Sequence, residues 1–593
     1  MFKLLVAALG LVAAMPAVAQ QMPTPPELLP PVPPWSGASG RLIARANDRW
    51  ITPAERADFA TTPDHAETRG WLERLAAASP RISIETFGKS GQGRDLIAVR
   101  ASSGGAPKPV VLVQAGIHAG EIDGKDAGLM LLRDIAFGGK AGLLDKVDLV
   151  FVPILNVDGH ERASVWNFPH VRGPANKGTV GNARGLNLNR DYAKLDAPET
   201  QAVVALLRRL DPILYIDCHV SGGFDMGYDI TFTYAGWGRY AYHRQTADWL
   251  MQRFGPAVTT ALEAAGHAPT IYPSPIDTRH PSAGIRQAPE GPRYSTGYGD
   301  FIGVPTVLVE NHMLKPYRQR VLGTYVLLEA ALKLAGAEAG RIAEAKAADR
   351  ASRPETLLTR WRPAREPIGW VKDFKGIAFD PVRSPATARA EQRWTGRPAT
   401  WRMPIIGQVP VERIAIARAW WIPPEQQETI DRLRRHGIQM TLIDEPRTVD
   451  LDHVRLVGPE LAAPYEGRVP LRSRFAHARL PATLPAGSVR VAFDQPLGLL
   501  AAALLEPESQ DSFLAWGFYP EMLMPPPGSE AFVLAPLADA LLATDPDVRE
   551  AFEAKLSSDP AFAADGDARL AWFAARLPEL QSRHLLYPVL REP

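Results

Sequence analysis

Val110-Val-Leu-Val-Gln-Ala-Gly-Ile-His118-Ala-Gly-Glu121-Ile-Asp-Gly124 is the stretch from which the fold is read. Its apolar, β-branched opening is a buried strand, and it ends in a glycine-bracketed turn that carries both a histidine and a glutamate. Imidazole and carboxylate are ordinary zinc ligands, and a catalytic zinc typically takes three protein ligands with a fourth position open to water. His118 and Glu121 are therefore half of a metal site. The rest of the chain has to supply the third ligand.

Outward from this turn, from about residue 65 to 345, strand-like runs alternate with helix-like segments. The runs are Arg81 to Phe87, Leu96 to Arg100, Val110 to Gly116, Asp148 to Leu155, Pro212 to His219 and Pro305 to Glu310; helices fall over about 125–137, 198–210 and 317–348. This alternation is the signature of an α/β fold with a mostly parallel sheet. Ligands of such sheets collect at the carboxyl ends of the strands. His118 follows one strand, His219 and Glu310 end two others, and Asn156-Val-Asp-Gly159 follows a fourth. Polar residues closing several buried strands converge on one rim, and a rim of them needs a common partner.

The donor set is thus assigned as His118, Glu121 and His219 around one zinc, with Glu310 as the base that takes a proton from water and passes it to a leaving amine. The plainer alternatives are a satisfied core histidine at 219 and a salt-bridged structural carboxylate at 310. Asp217, on the opposite face from Cys218, is placed to orient a ligand. A second motif, Gly185-Leu-Asn-Leu-Asn189-Arg190-Asp, offers a planar guanidinium fork with a further donor beside it, suited to a substrate's free C-terminal carboxylate. On its own it would read as a surface arginine near a turn.

At 593 residues the chain is too long for one core, and its formal charge of +1 gives no electrostatic reason to propose nucleic acid as a partner. Met1-Phe-Lys3, a short apolar run and Ala17-Val-Ala19 form a cleavable leader over 1–19, cut after Ala19, which implies a periplasmic or secreted protein. No other stretch approaches membrane-spanning length, so the mature chain is expected to lack a span. Cys218 is the only cysteine, which excludes an intrachain disulfide and a thiolate-rich metal site. Residues 20–50 form a proline-rich segment, expected to be extended or disordered to about residue 40; 51–350 are the catalytic domain, and the Arg-, Pro- and Trp-rich stretch near 350–367 marks a boundary. Beyond it, 368–593 are expected to form a second mixed α/β domain of unknown role, with a strand-helix-strand unit over 411–443 and a largely helical final part. Trp420-Trp421 and Pro525-Pro-Pro are taken as packing and turn residues rather than an interaction surface.

In order, the HxxE turn, Asn156-x-Asp-Gly, Asn189-Arg190, the strand-end His219 and the strand-end Glu310 resemble the zinc metallocarboxypeptidases of the carboxypeptidase A type, over about residues 65–335. The resemblance implies an eight-stranded mixed sheet flanked by helices, one catalytic zinc, and removal of a C-terminal residue from a peptide. By the same resemblance Asn189 and Arg190 bind the terminal carboxylate, Arg172 stabilises the oxyanion with Arg162 and Arg184 as competitors, and Tyr294, with Tyr298 second, caps the bound substrate. Two departures stand out. Asn187 occupies a position where the family usually has an aspartate behind the first zinc histidine, and a neutral amide leaves that ligand less basic. The segment 270–300, where specificity would be set, follows no family pattern, and the region past 368 has no counterpart in the simple enzymes.

The reading is an exported zinc carboxypeptidase acting on peptides with a free C-terminal carboxylate. One rival keeps fold and metal but cleaves cell-wall peptides or acyl-amino acids. Another is a non-catalytic peptide-binding protein with a degenerate site.

Overall fold

A computed structural model describes residues 23–524, 530–577 and 584–593. The leader, with its cut after Ala19, and the Pro525-Pro-Pro run lie outside the described residues. Among the described residues no helix is long and apolar enough to cross a membrane.

The strands of the first part are β1 (Ile82–Lys89), β2 (Asp95–Ala101), β3 (Val110–Ala115), β4 (Asp148–Val152), β5 (Leu214–Ser221), β6 (Ile230–Tyr234), β7 (Pro269–Ile271), the short β8 (Ile285–Arg286) and β9 (Thr306–His312). All but β8 form one eight-stranded sheet in the order β1-β2-β4-β3-β5-β9-β6-β7. The pairings β4/β3, β3/β5 and β5/β9 at its centre are parallel, whereas β1/β2, β2/β4 and β9/β6 are antiparallel. The sheet is therefore mixed, and the sequence pattern of a mostly parallel sheet holds for its centre. Strands covered on both faces read as continuous apolar runs, and β3 and β5 are buried at every position.

Helices cover both faces. Asp123–Ala136, which begins just beyond the HxxE turn, and the long Tyr317–Ala351 pack with Trp71, Ile216 and Val309 into one core. On the other face lies Pro198–Leu210, with Pro198 at its first position, Glu199 in its first turn and Arg208 and Arg209 in its last, each suited to its end of the helix. The proline-rich N-terminal segment follows the surface of this unit. It holds a turn of helix at Pro25–Leu28, and the Trp35 indole donates to Gly266 O at 2.9 Å.

Past Ala351 the chain turns to antiparallel strands. β10 (Thr356–Pro363) pairs with β13 (Gln408–Ala415), and β11 (Gly369–Arg383) and β12 (Ala390–Ile406) form a long hairpin to which β8 adds in parallel. A six-stranded antiparallel sheet follows, in the order β15 (Thr441–Leu442), β18 (Val489–Ala492), β14 (Ala419–Ile422), β19 (Leu590–Glu592), β16 (Arg447–Leu461), β17 (Leu471–Leu484). The strand-helix-strand unit expected over 411–443 has its first run broken after Ala415 into β13 and β14, which belong to different sheets. The helix Gln427–His436 then leads to β15, and β14 and β15 flank β18 rather than pairing with each other. Trp420 and Trp421 are 0% and 3% exposed, so they are packing residues.

The two parts share a core. Leu188, Tyr192, Val203, Leu207, Tyr298 and Phe301 of the first pack in one cluster with Trp420, Ile430, Leu433, Leu500, Phe513 and Trp516 of the second. Burying a large apolar side chain is worth roughly 1.5–3 kcal/mol, so this contact is a structural union. Polar contacts reinforce it: His436 Nε2–H donates to Ala193 O at 3.0 Å, Arg432 Nε donates to Lys194 O at 2.8 Å, and Arg293 pairs with Asp511.

Candidate active site

β3 ends at Ala115, and Gly116 follows with φ +67, a left-handed conformation that glycine adopts without a Cβ penalty and that turns the chain into Ile117-His118. Gly120, between His118 and Glu121, has no room for a side chain: a Cβ there would lie 2.3 Å from the Phe168 ring and 2.9 Å from Gly178 O. The loop after Asn156 is thereby pressed onto the turn.

His118, Glu121 and His219 come together, with one ligand atom from each within 4.8 Å of the others. Among the described residues this is the group of three that could hold a metal. His118 Nδ1 lies 3.1 Å from Glu121 Oε1, and His219 Nδ1 lies 3.0 Å from Glu121 Oε2. The far nitrogen of each ring is held from behind, where an oxygen can only accept: His118 Nε2–H donates to Asn187 Oδ1 at 3.0 Å and His219 Nε2–H to Asp217 Oδ2 at 2.9 Å. Both Nδ1 atoms are thus aimed at one point, with the rings 4.9 Å apart. His118 Nδ1 is buried and makes no hydrogen bond. Two backed imidazoles, a carboxylate and an orphaned buried nitrogen fit a zinc ion.

The electrostatics agree. Burial alone would raise Glu121, but His118 and His219 outweigh it and hold its carboxyl far below the usual range. Burial opposes charge on His219, yet Asp217 and Glu121 lift its pKa well above that of a free imidazole. Asp217 is itself buried and held by Gln114 Nε2, which donates to its Oδ1 at 3.0 Å. Its acidity survives burial because His219 stands beside it.

Glu310 is the register partner of His219 across β5 and β9, which puts both side chains on one face of the sheet. It stays partly accessible. Its pKa is pushed up to about 8, first by burial and further by Glu121 and Asp217, against the opposing pull of His219 and Arg190.

The Asn187 to Arg190 segment forms a 3-10 turn over Leu188–Arg190, capped by Asn187 Oδ1, which accepts from Asn189 N at 2.9 Å. Asn189 Oδ1 accepts from Ser295 N at 2.9 Å, which directs the amide nitrogen away from that contact. Arg190 lies 4.7 Å over the Tyr294 ring and donates to Asn189 O at 2.7 Å. Tyr294 precedes the helix Ser295–Phe301 and is half-buried beneath the guanidinium. Tyr298 points into the shared core, where its hydroxyl meets His436 Nδ1 at 3.0 Å.

Arg172 is engaged elsewhere: its Nε donates to Leu314 O at 2.8 Å and its Nη2 to Pro30 O. Of its competitors, Arg162 reaches Ala183 O at 3.2 Å and Arg184 reaches Asp196 O at 3.4 Å, both exposed. Two further residues belong to the site. Tyr272 is in electrostatic reach of Glu310, Glu121, Arg286 and Arg190, and burial followed by the two carboxylates raises its hydroxyl. Glu466, from the C-terminal part, accepts from Asn187 N at 2.7 Å. Tyr272 carries no sequence signal beyond lying in 270–300, and nothing in the sequence joins position 466 to position 187.

Residues 68–235 match the family model described as zinc carboxypeptidase. That span holds His118, Glu121, Asn189, Arg190 and His219; Glu310 lies beyond it. Carboxypeptidase 2 of Trichophyton rubrum is 24% identical over 498 residues, covering 78% of this chain and 86% of the relative, an overlap too long to be confined to the first sheet. Carboxypeptidase B of Astacus astacus is 25% identical over 139 residues, 23% of this chain and 46% of that protein. Among solved structures, carboxypeptidase A from Helicoverpa armigera matches at 17% identity with a TM-score of 0.35, covering 52% of this chain and 80% of that one. A metallo-carboxypeptidase from Burkholderia cenocepacia matches at 19% identity with a TM-score of 0.33, covering 45% and 67%.

Proposed function

We propose that this chain, whose residues 68–235 match the zinc carboxypeptidase family, is a hydrolase of that family acting on peptide bonds and removes single residues from the C-terminus of peptides, with Glu310 as the base and Asn189 and Arg190 as the clamp on the terminal carboxylate. The observation that carries this reading is the convergence of His118 Nδ1 and His219 Nδ1 on Glu121, on the sheet face shared with Glu310. Held by these three residues, zinc supplies Lewis-acid polarisation of the scissile carbonyl and lowers the pKa of water.

The chain's own groups do the rest. Asn187 and Asp217 hold the two imidazoles in the tautomer that leaves Nδ1 free for a metal. Arg190 presents a planar fork to the carboxylate while Tyr294 supports its face, and Asn189, fixed by Ser295, adds a donor. Glu310 takes the proton of the attacking water and returns it to the leaving nitrogen. Arg172, committed to two backbone carbonyls, ties the N-terminal segment to the turn after β9. Export through the 1–19 leader, into the periplasm or medium, completes the proposal; it is supported by the leader's composition alone.

The test is zinc content and turnover of a mixed peptide library, followed by mass spectrometry, for the wild type beside Glu310→Gln. The expected result is about one zinc per chain in both and turnover reduced roughly 10² or more in the variant. Zinc bound with no peptide shortened would move the reading to cell-wall fragments or acyl-amino acids. An absence of zinc would leave the peptide-binding alternative.

A further inference from the structure

The turn that carries Asn187, Asn189 and Arg190 is met by the C-terminal part of the chain. β16 and β17 form a long antiparallel hairpin, and in the connection between them Tyr465 N donates to Arg468 O at 2.8 Å while Arg468 N donates to Tyr465 O at 3.1 Å. The two residues enclosed, Glu466 and Gly467, both sit in the left-handed region, at φ +48 and +80. That is the tight two-residue turn whose hand suits a twisted hairpin, and its first position normally goes to asparagine, aspartate or glycine. A glutamate there is strained by its Cβ. Strain of this kind persists where the surroundings fix it, and it clusters at functional sites.

The surroundings do fix this tip. Arg468 reaches Asp196 with contacts of 2.7 and 2.6 Å and lies 3.7 Å over the Phe518 ring. Tyr465 stacks on Trp516 with ring centroids 6.0 Å apart. Gly467 abuts Leu186 so closely that a Cβ would come within 2.9 Å of its Cδ2. The strained residue between these anchors places Glu466 Oε2 2.7 Å from Asn187 N. Asn187 is the residue whose side chain holds His118 Nε2. Its amide is neutral and brings no charge to that imidazole, whereas His219 is backed by the carboxylate of Asp217.

We propose that Glu466 is a positioning residue for the metal site: across the boundary between the two parts of the chain, it supplies the negative charge behind His118 that Asn187 lacks, and it fixes the peptide plane that aims Asn187 at the imidazole. The proposal rests on the reading of His118 as a zinc ligand. A carboxylate set behind a ligating histidine raises its basicity and strengthens metal binding. The C-terminal part is in this view a component of the metal site.

The test uses the full-length chain as wild type, Glu466→Gln, Glu466→Gly, Asn187→Asp and the double variant Glu466→Gln/Asn187→Asp. Zinc affinity is read by chelator competition, and thermal unfolding of the metal-free proteins checks the fold. Glutamine keeps an acceptor for Asn187 N and loses only the charge; glycine suits the left-handed turn and guards against misfolding. Zinc affinity is expected to fall about tenfold in both single variants at position 466, with unfolding temperatures near the wild type. In the double variant, aspartate at 187 is expected to restore it to within about threefold. Equal zinc affinity in wild type and Glu466→Gln, or a loss that Asn187→Asp does not restore, overturns the proposal. A wild-type chain that takes up no zinc overturns the zinc-site reading beneath it.

Discussion

His219 and Glu310 stand opposite each other in the register of β5 and β9. The proposed metal ligand and the proposed base are thereby set by one ladder of backbone hydrogen bonds, and a one-residue slip of either strand would carry its own side chain to the opposite face of the sheet. The separation of the two groups is a property of the sheet.

Shortening the carboxylate at this place tests how finely that separation is tuned. Glu310→Asp keeps the charge and withdraws it by one methylene. Zinc stoichiometry is expected to stay at the wild-type level while kcat falls by roughly 10² with KM little changed, the cost of a misplacement near 1 Å. Steady-state kinetics beside metal analysis decide it, and a variant with undiminished kcat would remove Glu310 from the chemistry.

Arg190 makes a different demand. Lysine keeps the charge but loses the planar fork and the stacking on Tyr294. Arg190→Lys is expected to lower kcat/KM by about 10–100-fold for peptides with a free terminal carboxylate, the worth of hydrogen bonds to a charged group. Amidated peptides should be poor substrates for wild type and variant alike. Equal turnover of free and amidated termini by the wild type would dismiss the clamp.

Zinc loading should depend on pH. His219 keeps its proton above the usual imidazole range because Asp217 and Glu121 outweigh its burial, so the proton on Nδ1 competes with the metal. Acid favours the proton and alkali the metal. Apparent zinc affinity is expected to rise with pH from the ordinary imidazole value of about 6.5 upward, by about tenfold per unit where one proton is released. Chelator competition over that range, with proton release followed calorimetrically, measures it; an affinity independent of pH would contradict the geometry.

Acid should also loosen the union of the two parts. Burial lowers the His436 pKa to about 4, and the ring lies between Tyr298 and Ala193 as a neutral tautomer with both nitrogens satisfied. Between the unfolded value of about 6.5 and the folded value, the unfolded chain binds the extra proton and the folded one does not, so stability falls as pH falls through this window. The loss amounts to at most about 3 kcal/mol at 1.4 kcal/mol per unit. Denaturant unfolding at pH 7 and pH 5 should show it, and His436→Asn should flatten the difference.

The sequence made much of the site legible because several of its residues obey a positional rule. His118, His219 and Glu310 each follow or end a buried apolar run, and runs of that kind are hard to mistake. Side-chain destinations were less legible. The spacing that nominated Arg172 says nothing about the carbonyls of Pro30 and Leu314, which lie far from it in the chain. Tyr294 and Tyr298 look alike in sequence, yet one lies under Arg190 and the other in the core, because Tyr294 is the extended residue that caps the helix Ser295–Phe301 while Tyr298 lies inside it. The C-terminal part resisted reading for another reason. Its strands are short or half-exposed, and their partners are distant, as with β14 and β19. A Glu-Gly pair announces a turn but gives no hint of the surface that the turn will touch.

The place of β19 in its sheet bears on how the molecule assembles. Among the described residues this strand follows every other in order, yet it lies between β14 and β16 with β14, β18 and β15 on one side and β16 and β17 on the other. Until it arrives, the long β16/β17 hairpin has no partner through which to join the rest of the sheet. Loop closure over such separations is slow. The metal-binding strands can form early, but the hairpin joins this sheet only with the latest described strand, and its tip meets Asn187 only once Arg468 and Tyr465 have also reached Asp196 and Trp516, so completion of the metal site's surroundings is expected to come late in folding.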